Sequence, residues 1–284
     1  MSRLDELCSM SLEEMRRRFV ECGEELPRGG LMLLEADRRA GAREVAARVW
    51  RRIHAAQAEG RRLSRLCAFE QPLWDAGLTL VAGVDEVGMA PLAGPVIAAA
   101  VILAPGARIK GVNDSKQLTP VEREALEPEI RSKAVAIGMG RAEVEEIDTL
   151  NIYHAGLLAL RRAVLALLPQ PEHLLVDARN LKGLTVPQQP IIKGDAKSIT
   201  IGAASIVAKV HRDRLMADLE AQYPGYGFAH HKGYPTAEHL EALERLGACP
   251  IHRRSFAPVA KALGLIPEQQ ELFAAPPAQT QCRT

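Results

Sequence analysis

The sequence has 284 residues, of which 47% are hydrophobic and 25% are charged. This balance is ordinary for a chain with a packed core, and it excludes wholesale disorder. Lys and Arg number 36 against 35 Asp and Glu, so the net charge is +1. A charge this close to zero excludes a polybasic chain that binds a polyanion through bulk charge alone. Any surface for nucleic acid must therefore come from local clustering of charge.

The sequence also carries signals about its compartment. The longest apolar run, residues 94–105, is shorter than the roughly 20 residues that a membrane helix needs. The N-terminus has acidic residues early and no apolar segment of the kind found in signal peptides. The five cysteines are scattered without metal-finger or redox spacing, which favours reduced thiols. These features predict a soluble cytoplasmic protein with no membrane partner.

Residues 1–75 form the first predicted region. Their apolar positions recur at helical spacing, with Val45, Val49 and Ile53 on one face, and no strand pattern is visible. We predict a small helical N-terminal extension over this range. Residues 76–266 are predicted as the main domain with its C-terminal helices. Residues 267–284 have the composition of a flexible tail.

The main domain begins with strands. Residues 78–86 and 95–103 are apolar, of strand length and separated by a turn rich in Gly and Pro. A third strand is predicted over 135–142, after a helix over 120–133. Helices and strands then alternate, and the remaining predicted segments are a helix over 151–168, strands over 173–177 and 190–193, and helices over 197–222, 236–246 and 254–263. Three adjacent strands followed by this alternation predict a mixed α/β sheet.

Asp85 and Glu86 end a strand that is otherwise apolar. A buried acid is unfavourable unless it is paired or bound to a metal, so two adjacent acids at this position need an explanation. One interpretation is that the strand has already reached solvent and both acids are turn residues. The other is a functional pair, which requires a bend because adjacent strand residues point to opposite faces. Gly88 makes such a bend feasible.

Two further acids follow the same pattern. Asp177 ends the apolar segment LLVD, and Asp195 lies between a strand and a helix start. Each can be explained as a helix or turn cap. Strand ends are nevertheless where sites form in alternating α/β sheets. If the four carboxylates cluster, they repel one another unless cations lie between them, and an all-oxygen set suits Mg²⁺ or Mn²⁺.

Residues 223–236 interleave aromatic side chains with His230, His231 and Lys232. Stacking faces beside cations are typical of nucleic-acid surfaces. A small aromatic core under a loop explains the composition equally well. Adjacent histidines such as His230 and His231 rarely converge on one metal ion, so we do not expect a metal site there. Residues 113–116 (NDSK) indicate a turn first and a phosphate contact second.

The motifs VAGVDEVG, PLAGPV, NDSKQL, EIDTLNI, LLVDA, KGDAKSITIGAASIVAKVHRDRLM, YGFAHHKGYPTAEH and HRRSFAPV occur in this order. With them the chain resembles bacterial type 2 ribonuclease H, or ribonuclease HII, over roughly residues 79–263. The resemblance implies an RNase H-like mixed sheet, three antiparallel strands followed by parallel ones, flanked by helices. It also implies a catalytic site that binds two divalent ions, Mn²⁺ or Mg²⁺. Its carboxylates are Asp85, Glu86, Asp177 and Asp195.

The resemblance further implies an endonuclease that hydrolyses the RNA strand of RNA–DNA hybrids and leaves 5′-phosphate and 3′-hydroxyl ends. The substrate is a hybrid, or duplex DNA that contains ribonucleotides, and we expect a monomer. By the same carry-over, residues 88–90 meet the 2′-hydroxyl and Tyr234 packs against a sugar. The phosphate contacts carried over from the motifs are Lys116, His252, Arg253 and Ser255.

The chain departs from the family pattern at three places. Met89 and Ala90 stand where the family reads Arg-Gly after Gly88, Ala178 replaces a common glycine, and Gly202 replaces a usual alanine. Losing the guanidinium at position 89 predicts a weaker preference for single embedded ribonucleotides. Two rival functions are a catalytically silent hybrid-binding module and a related RNase H-like nuclease with another substrate. The presence of all four acids argues against the first, and the HKGY motif argues against a nuclease for DNA only.

Overall fold

The structure is a computed structural model and describes residues 3–266. The chain divides into two compact units between Arg65 and Leu66. The helices of the first unit are α1 (Arg3–Ser9), α2 (Leu12–Met15) with a following π-helical turn (Arg16–Glu21), α3 (Gly30–Glu35) and α4 (Ala40–Leu66). Val45 and Val49 are buried in its apolar core, whereas Ile53 is 38% exposed. Two of the three apolar positions predicted on one helix face are therefore buried, and the third is partly exposed to solvent.

The second unit contains the sheet and the remaining helices. Its elements are α5 (Glu70–Asp75), β1 (Val81–Val87), β2 (Val96–Leu103), α6 (Pro120–Lys133), β3 (Ala134–Ala142), α7 (Val144–Leu150), α8 (Ile152–Leu165), β4 (His173–Asp177), β5 (Gln188–Ile191), α9 (Ile199–Gln222), α10 (Phe228–His231), α11 (Ala237–Leu246) and α12 (Ala257–Ala262). A short 3₁₀ turn, Gly194–Ala196, precedes α9. Most predicted elements are present, whereas α7 and α10 were not predicted, and the start of β1 and the end of α8 each differ from the predicted residue by three positions.

Within residues 3–266 the strands form one five-stranded sheet in the order β3-β2-β1-β4-β5. The pairs β1–β2 and β2–β3 are antiparallel, and the pairs β1–β4 and β4–β5 are parallel. The predicted mixed sheet is thus confirmed. The pairing of β1 with β4 stops at Val84, while its pairing with β2 continues to Val87. The last residues of β1 therefore extend beyond the parallel part of the sheet.

Helices α8 and α9 lie on opposite faces of this sheet, and small residues let both approach the strands closely. A Cβ atom on Gly83 of β1 would lie 2.1 Å from the carbonyl carbon of Thr200 in α9. A Cβ atom on Gly140 of β3 would lie 1.9 Å from the carbonyl oxygen of Ala159 in α8. Because only glycine fits at such separations, the two positions fix where each helix crosses the sheet.

The start of the second unit differs from the boundary predicted near residue 75. Helix α5 belongs to the sheet-containing unit, because Glu70 is fully buried and accepts hydrogen bonds from Ser198 and Thr200 at the start of α9. Trp74 of α5 is also buried. The other predicted boundary concerns the flexible tail over 267–284, which lies outside the described residues.

Several predicted elements have shifted ends, and β5 and α12 show why. β5 ends at Ile191, and Lys193 then adopts a left-handed conformation with a φ of 58° that a strand cannot continue. α12 begins at Ala257 because the main-chain N–H groups of Arg254 and Ser255 donate to Asp148 in a turn. Both shifts reflect contacts that the local pattern does not reveal.

The cysteines resolved by the structure are Cys8, Cys22, Cys67 and Cys249, and all four are free thiols. Cys282 lies outside the described residues. Among the helices of residues 3–266, none combines the length and apolar character needed to cross a membrane.

Candidate active site

The four predicted acids lie at one edge of the sheet. Asp85 and Glu86 are near the end of β1, Asp177 ends β4, and Asp195 lies in the 3₁₀ turn before α9. Since β1 and β4 are parallel, their carboxyl ends meet at the same edge. The alternation of strands and helices thus brings together acids that are up to 110 residues apart in sequence.

Asp85 and Glu86 point to opposite faces of β1. The strand remains paired with β2 through Val87, so the bend suggested by Gly88 does not separate the two acids from the strand. Asp85 is buried and is hydrogen-bonded to Ser205 of α9. Glu86 pairs on the other side with Arg179, with 3.0 Å between Oε1 and Nη2. The two carboxylates therefore flank the strand end.

Main-chain groups fix the other two acids. The N–H of Gly194 donates to Asp177 Oδ1 at 2.7 Å, and the N–H of Ala196 donates to Asp195 Oδ1 at 3.0 Å. At Gly202, where the resemblance leads us to expect alanine, a Cβ atom would lie 2.9 Å from the carbonyl oxygen of Asp195. The substituted glycine lets α9 approach the turn that carries this acid.

The protein environment opposes charge on three of the acids. Burial raises the pKa of Asp85 well above its usual range, and the neighbouring Glu86 and Asp177 raise it further. Burial also raises the pKa of Glu86 and of Asp177, and the carboxylates next to each add to the effect. Such mutual repulsion shows that the carboxylates are close enough to interact. A bound cation would relieve it.

Two cationic side chains reach into the acidic cluster. Lys116 Nζ lies 3.3 Å from Asp195 Oδ2, and Arg179 pairs with Glu86 as described. Although burial opposes it, the carboxylates of Asp195, Asp85 and Asp114 raise the pKa of Lys116. Lys116, predicted as a phosphate contact, therefore sits at the carboxylates with its side chain 78% exposed. That position is compatible with a contact to an incoming phosphate.

The donor set fits a hard divalent cation. All four side chains offer oxygen, and the buried Oε2 atom of Glu86 has no hydrogen-bond partner within residues 3–266. In the same range, no group of three or more His, Cys, Asp or Glu side chains is arranged to hold an ion as it stands. Lys116 pairs with Asp195 and Arg179 pairs with Glu86, so two of the four acids already have a cationic partner.

The turn at residues 88–90 follows the acids directly. Gly88 has a φ of 93°, and a Cβ atom there would lie 2.5 Å from Nε of Arg212, so only glycine fits. The side chain of Met89 packs on the apolar core under α8, while Ala90 is exposed. The turn therefore depends on Gly88 for its main-chain conformation and presents Ala90 to solvent.

Arg253 holds this turn from below, which corrects one predicted contact. The sequence predicted that Arg253 binds phosphate, but its side chain is fully buried and its guanidinium donates to main-chain carbonyls. The bonds to Gly88 and Pro91 measure 2.6 and 2.7 Å. A buried Arg whose N–H groups are satisfied by protein carbonyls has none to offer a substrate. Arg253 is a positioning residue for residues 88–90.

His252 is corrected in the same way. It is 1% exposed, and its Nε2 lies 3.1 Å from Nε2 of His239. His239 Nδ1 bonds to the carbonyl of Tyr234, so Nδ1 carries the proton and Nε2 accepts. His252 must then donate from Nε2 and accept the N–H of Cys249 at Nδ1. The chain of bonds makes both rings neutral and supports Tyr234 rather than a phosphate.

The remaining predicted contacts stay accessible. Tyr234 is 36% exposed. The residue before it, Gly233, accepts a hydrogen bond from the N–H of Leu92, whose own carbonyl accepts the N–H of Arg253. Ser255 is exposed, but its hydroxyl donates to Asp148 Oδ1 at 2.6 Å. The structure therefore places Tyr234 and Ser255 at the surface, where a substrate can reach them.

The stretch 223–236 resolves in favour of a small core. Tyr226 and Phe228 are buried with stacked rings, and His231 packs edge-on to Phe228. His230 instead is exposed, and its Nδ1 lies 3.1 Å from Glu238. The two adjacent histidines diverge, as expected. Of the aromatic residues in this stretch, Tyr234 is the one that the resemblance assigned to substrate.

Sequence reasoning missed several residues that shape the site. Ser205 lies on α9 and bonds Asp85, and Arg212 donates to the carbonyls of Ala93, Pro95 and Lys232. Arg179 follows Asp177 by two residues, and Asp148 caps the 254–255 turn. A polar residue on the buried face of a predicted helix could have indicated Ser205 and Arg212. No local signal distinguishes Arg179 from a surface arginine.

Comparison with known proteins gives consistent matches. A family model described as Ribonuclease HII matches residues 82–259. A protein named ribonuclease HII from Anaeromyxobacter sp. (strain Fw109-5) is 61% identical over 275 residues, which cover 97% of this chain and 87% of that protein. Another of that name, from Myxococcus xanthus (strain DK1622), is 54% identical and covers 98% of this chain and 97% of its own length.

A solved structure is similar to this chain over much of its length. The crystal structure of the ribonuclease H2 from Pyrococcus horikoshii OT3 has a TM-score of 0.54 at 27% identity. It covers 65% of this chain and 97% of its own. The coverage agrees with a common fold over about two thirds of this chain.

Proposed function

Because the chain belongs to the ribonuclease HII family of metal-dependent endoribonucleases, we propose that it cuts hybrids at the cluster of Asp85, Glu86, Asp177 and Asp195. The family cleaves the RNA of RNA–DNA hybrids. The observation that carries the proposal is the meeting of these four acids at one sheet edge, beside the turn at residues 88–90. Their order along the chain is the order of the family's motifs.

The four carboxylates are the residues that would hold divalent cations. The chemistry that two bound cations, Mg²⁺ or Mn²⁺, supply is the activation of water and the stabilisation of the leaving 3′-oxygen. Cleavage of this kind leaves 5′-phosphate and 3′-hydroxyl ends. Asp85 and Asp177 are held rigidly by Ser205 and by the N–H of Gly194, so the cluster is preorganised on the sheet.

Other residues of the chain position the substrate. Lys116 is exposed beside Asp195 and contacts a phosphate next to the cleavage point. The turn at residues 88–90, held by Arg253, offers main-chain groups to the 2′-hydroxyl, which distinguishes RNA from DNA. Tyr234 lies against a sugar, supported from behind by His239. Ser255 contacts the backbone through the exposed 254–255 turn.

The substitutions at positions 89 and 90 give the proposal its finer part. Met89 directs its side chain into the core and offers no donor, so the turn lacks a guanidinium at this position. A charge-assisted hydrogen bond contributes about 1.5–3 kcal/mol. A long hybrid compensates through its many other contacts, whereas one ribonucleotide in duplex DNA cannot. We therefore expect cleavage of continuous hybrids with a weakened preference for isolated ribonucleotides.

The test compares cleavage of a multi-ribonucleotide hybrid with cleavage of a duplex that contains a single ribonucleotide. The natural chain and the double variant Met89→Arg, Ala90→Gly are assayed with Mn²⁺ and with Mg²⁺. We expect both to cut the hybrid and the double variant to gain about tenfold or more on the single-ribonucleotide duplex, in line with one charge-assisted bond. Equal rates of the natural chain and the double variant on that duplex refute the weakened preference for isolated ribonucleotides. A natural chain that cuts neither substrate refutes the whole.

A further inference from the structure

Arg179 lies at the edge of the acidic cluster and is held on two sides. Its Nη2 pairs with Glu86 Oε1 at 3.0 Å, and its Cζ lies 5.1 Å from the centre of the Tyr153 ring. The preceding residue, Ala178, has a φ of 49°, so the chain turns sharply between Asp177 and Arg179. A strained residue next to a site is a feature that the surrounding structure has to maintain. The guanidinium is therefore placed firmly beside one carboxylate of the cluster.

The pair between Arg179 and Glu86 is incomplete on both sides. Arg–carboxylate pairs are often bidentate, but here Nη1 of Arg179 and Oε2 of Glu86 are buried without a hydrogen-bond partner within residues 3–266. Buried polar atoms without partners are unfavourable. A cation at Oε2 and an anionic oxygen at Nη1 would satisfy both atoms. Each partner thus keeps one unpaired atom, Oε2 on Glu86 for a cation and Nη1 on Arg179 for an anion.

Nη1 of Arg179 also lies near the side chain of Met89, in the turn at residues 88–90. A Cβ atom on Gly156 would be 3.0 Å from Sδ of Met89 and 3.9 Å from Nη1 of Arg179. Both atoms are thus within 4 Å of one point on α8. The Arg179 side chain as a whole is 19% exposed, so the guanidinium lies between the buried edge of the acidic cluster and solvent.

We propose that Arg179 holds Glu86 in the cation-free protein and transfers its guanidinium to a phosphate of the substrate when the hybrid binds. This inference rests on the proposed function, because a phosphate reaches this edge only if a nucleic acid is the substrate. Before transfer, the positive charge weakens cation binding at Glu86. After transfer, the phosphate neutralises that charge. Cation binding and hybrid binding therefore strengthen each other, and the coupling is reciprocal.

The first measurement is Mn²⁺ affinity of the full chain without nucleic acid, by titration calorimetry. Arg179→Gln removes the neighbouring positive charge and keeps a polar side chain of similar reach. We expect this variant to bind Mn²⁺ roughly five- to tenfold more tightly than the natural chain, at the lower end of typical coupling between sites. The readout involves no catalysis.

The second measurement is hybrid affinity in EDTA across a range of salt concentrations. Arg179→Gln should bind about tenfold more weakly, as expected for one lost charge-assisted contact. The slope of log affinity against log salt should fall in magnitude by about 0.7–0.9. Because phosphate contacts carry no sequence information, the loss should be equal for multi-ribonucleotide and single-ribonucleotide duplexes. This uniformity distinguishes Arg179 from positions 89 and 90.

Two further variants complete the design. Arg161→Gln removes an exposed arginine on α8 and should leave both affinities unchanged. Arg179→Lys keeps the charge and should preserve the salt slope. Cation and hybrid affinities that change in the same direction in Arg179→Gln, or that do not change, overturn the inference. If the natural chain binds and cuts hybrids in that case, the proposed function stands, whereas failure of the natural chain itself counts against the proposed function.

Discussion

At the scale of single residues, the carboxyl of Asp85 shows how an acidic site lowers the stability of the folded chain. Its folded-state pKa is raised, first by burial and then by Glu86 and Asp177. A group with a raised pKa favours the folded state only while it is protonated. Its contribution is therefore complete below the unfolded pKa near 3.8 and is lost as the pH rises through the folded pKa. At neutral pH without cations, this ionisable carboxyl opposes folding, because burial disfavours its charged form in the folded state.

Asp85→Asn tests this cost together with the role in catalysis. Without a charge to bury, the cation-free variant should be more stable at pH 7, with a Tm higher by about 2–4 °C if the gain is near 1 kcal/mol. Hybrid cleavage should fall by roughly 100-fold or more, because the variant lacks a cation-binding charge. Calorimetry and a cleavage assay give the two readouts.

The same variant carries its own control for mechanism. The Tm difference should shrink as the pH falls, because the raised pKa of Asp85 lets the folded natural chain take up a proton on this carboxyl. A variant that keeps near-natural turnover, or that is less stable than the natural chain at pH 7 without cations, contradicts the placement of this acid in the cluster.

Which residues could be predicted depended on whether their role is local. The four acids were singled out because each lies near a predicted strand end or helix start. The family match over residues 82–259 confirms the resemblance that named them, and their role in cleavage stays a prediction. Arg253 was assigned to phosphate from its motif, yet it is buried under residues 88–90. A motif shows that an arginine is present but not which way it points, since that depends on carbonyls 165 and 162 residues earlier in the chain.

At the scale of elements, the position of α9 against β1 decides whether the cluster forms. Helix α9 follows the turn that carries Asp195, and it crosses β1 at Gly83, two residues before Asp85. The contact between backbone atoms at this crossing leaves no room for a side chain. The spacing of Asp195 from Asp85 thus depends on one glycine.

Gly83→Ala should therefore damage both stability and activity. The added methyl group would lie 2.1 Å from the carbonyl carbon of Thr200, so α9 has to move away from the strand. Overpacking of this kind usually costs about 1–3 kcal/mol, and rigid backbone on both sides puts the expected loss at the upper end. Urea unfolding and hybrid cleavage measure the two effects.

Gly60→Ala in α4 is the matched control. A Cβ atom there meets open space, and alanine is the better helix former, so stability should be unchanged or higher by about 0.5–1 kcal/mol. If Gly83→Ala unfolds at the same urea concentration as the natural chain, the crossing of α9 on β1 is not as close as the structure shows.

Two buried histidines, His239 of α11 and His252 beside it, make the free energy of unfolding depend on pH. Burial lowers the pKa of His239, and burial together with His239 lowers that of His252 to about 4. The unfolded chain then binds more protons than the folded chain between pH 6.5 and about 4. The stability contributed by these neutral rings is complete above pH 6.5 and declines as the pH falls toward 4.

Between pH 7 and pH 5 the loss attributable to His252 should be about 2 kcal/mol, from 1.36 kcal/mol for each unit of pKa difference. His252→Gln should flatten the dependence of unfolding free energy on pH over this interval, although it lowers stability at pH 7. His54→Gln on α4, a position outside this block, should leave the slope intact. An unchanged slope in His252→Gln would show that the ring is not held neutral.

Elements were predicted well where periodicity is clean and less well where side chains end them. Helix α6 has the predicted bounds because Thr119 and Glu122 form a capping box, with Pro120 at its first position. The start of α12 was placed three residues early, since the turn before it depends on Asp148. The aromatic stretch 223–236 was ambiguous because its composition suits both a surface and a core.

At the scale of the whole molecule, the first unit precedes the part of the chain that the family model matches. The family match begins at residue 82, and the contact boundary lies between Arg65 and Leu66. The 14 arginines and 13 acids of residues 1–75 nearly cancel, so this region has no strong field of its own. We propose that it is accessory to cleavage. The sequence could not place its end, because the link from α5 to α9 joins residues about 130 positions apart.

Two truncations that differ by 12 residues test where the catalytic domain begins. A chain that starts at Leu66 keeps Glu70, whose Oε1 accepts hydrogen bonds from the Thr200 N–H at 3.0 Å and from its hydroxyl at 2.8 Å. A chain that starts at Leu78 loses this carboxylate and leaves the first turn of α9 with fewer partners. Loss of a helix cap costs about 0.5–2 kcal/mol.

The chain that starts at Leu66 should fold and cut hybrids, with lower affinity and a shallower salt dependence where arginines of residues 1–65 contact phosphates. The chain that starts at Leu78 should have a lower Tm than the first by about 2–4 °C for each kcal/mol lost. Glu70→Gln in the full chain should show part of the same loss, since an amide keeps one acceptor oxygen. Equal Tm values for the two truncations would show that Glu70 does not stabilise the sheet-containing unit. A chain that starts at Leu66 and folds without cutting hybrids would show that cleavage needs the first unit.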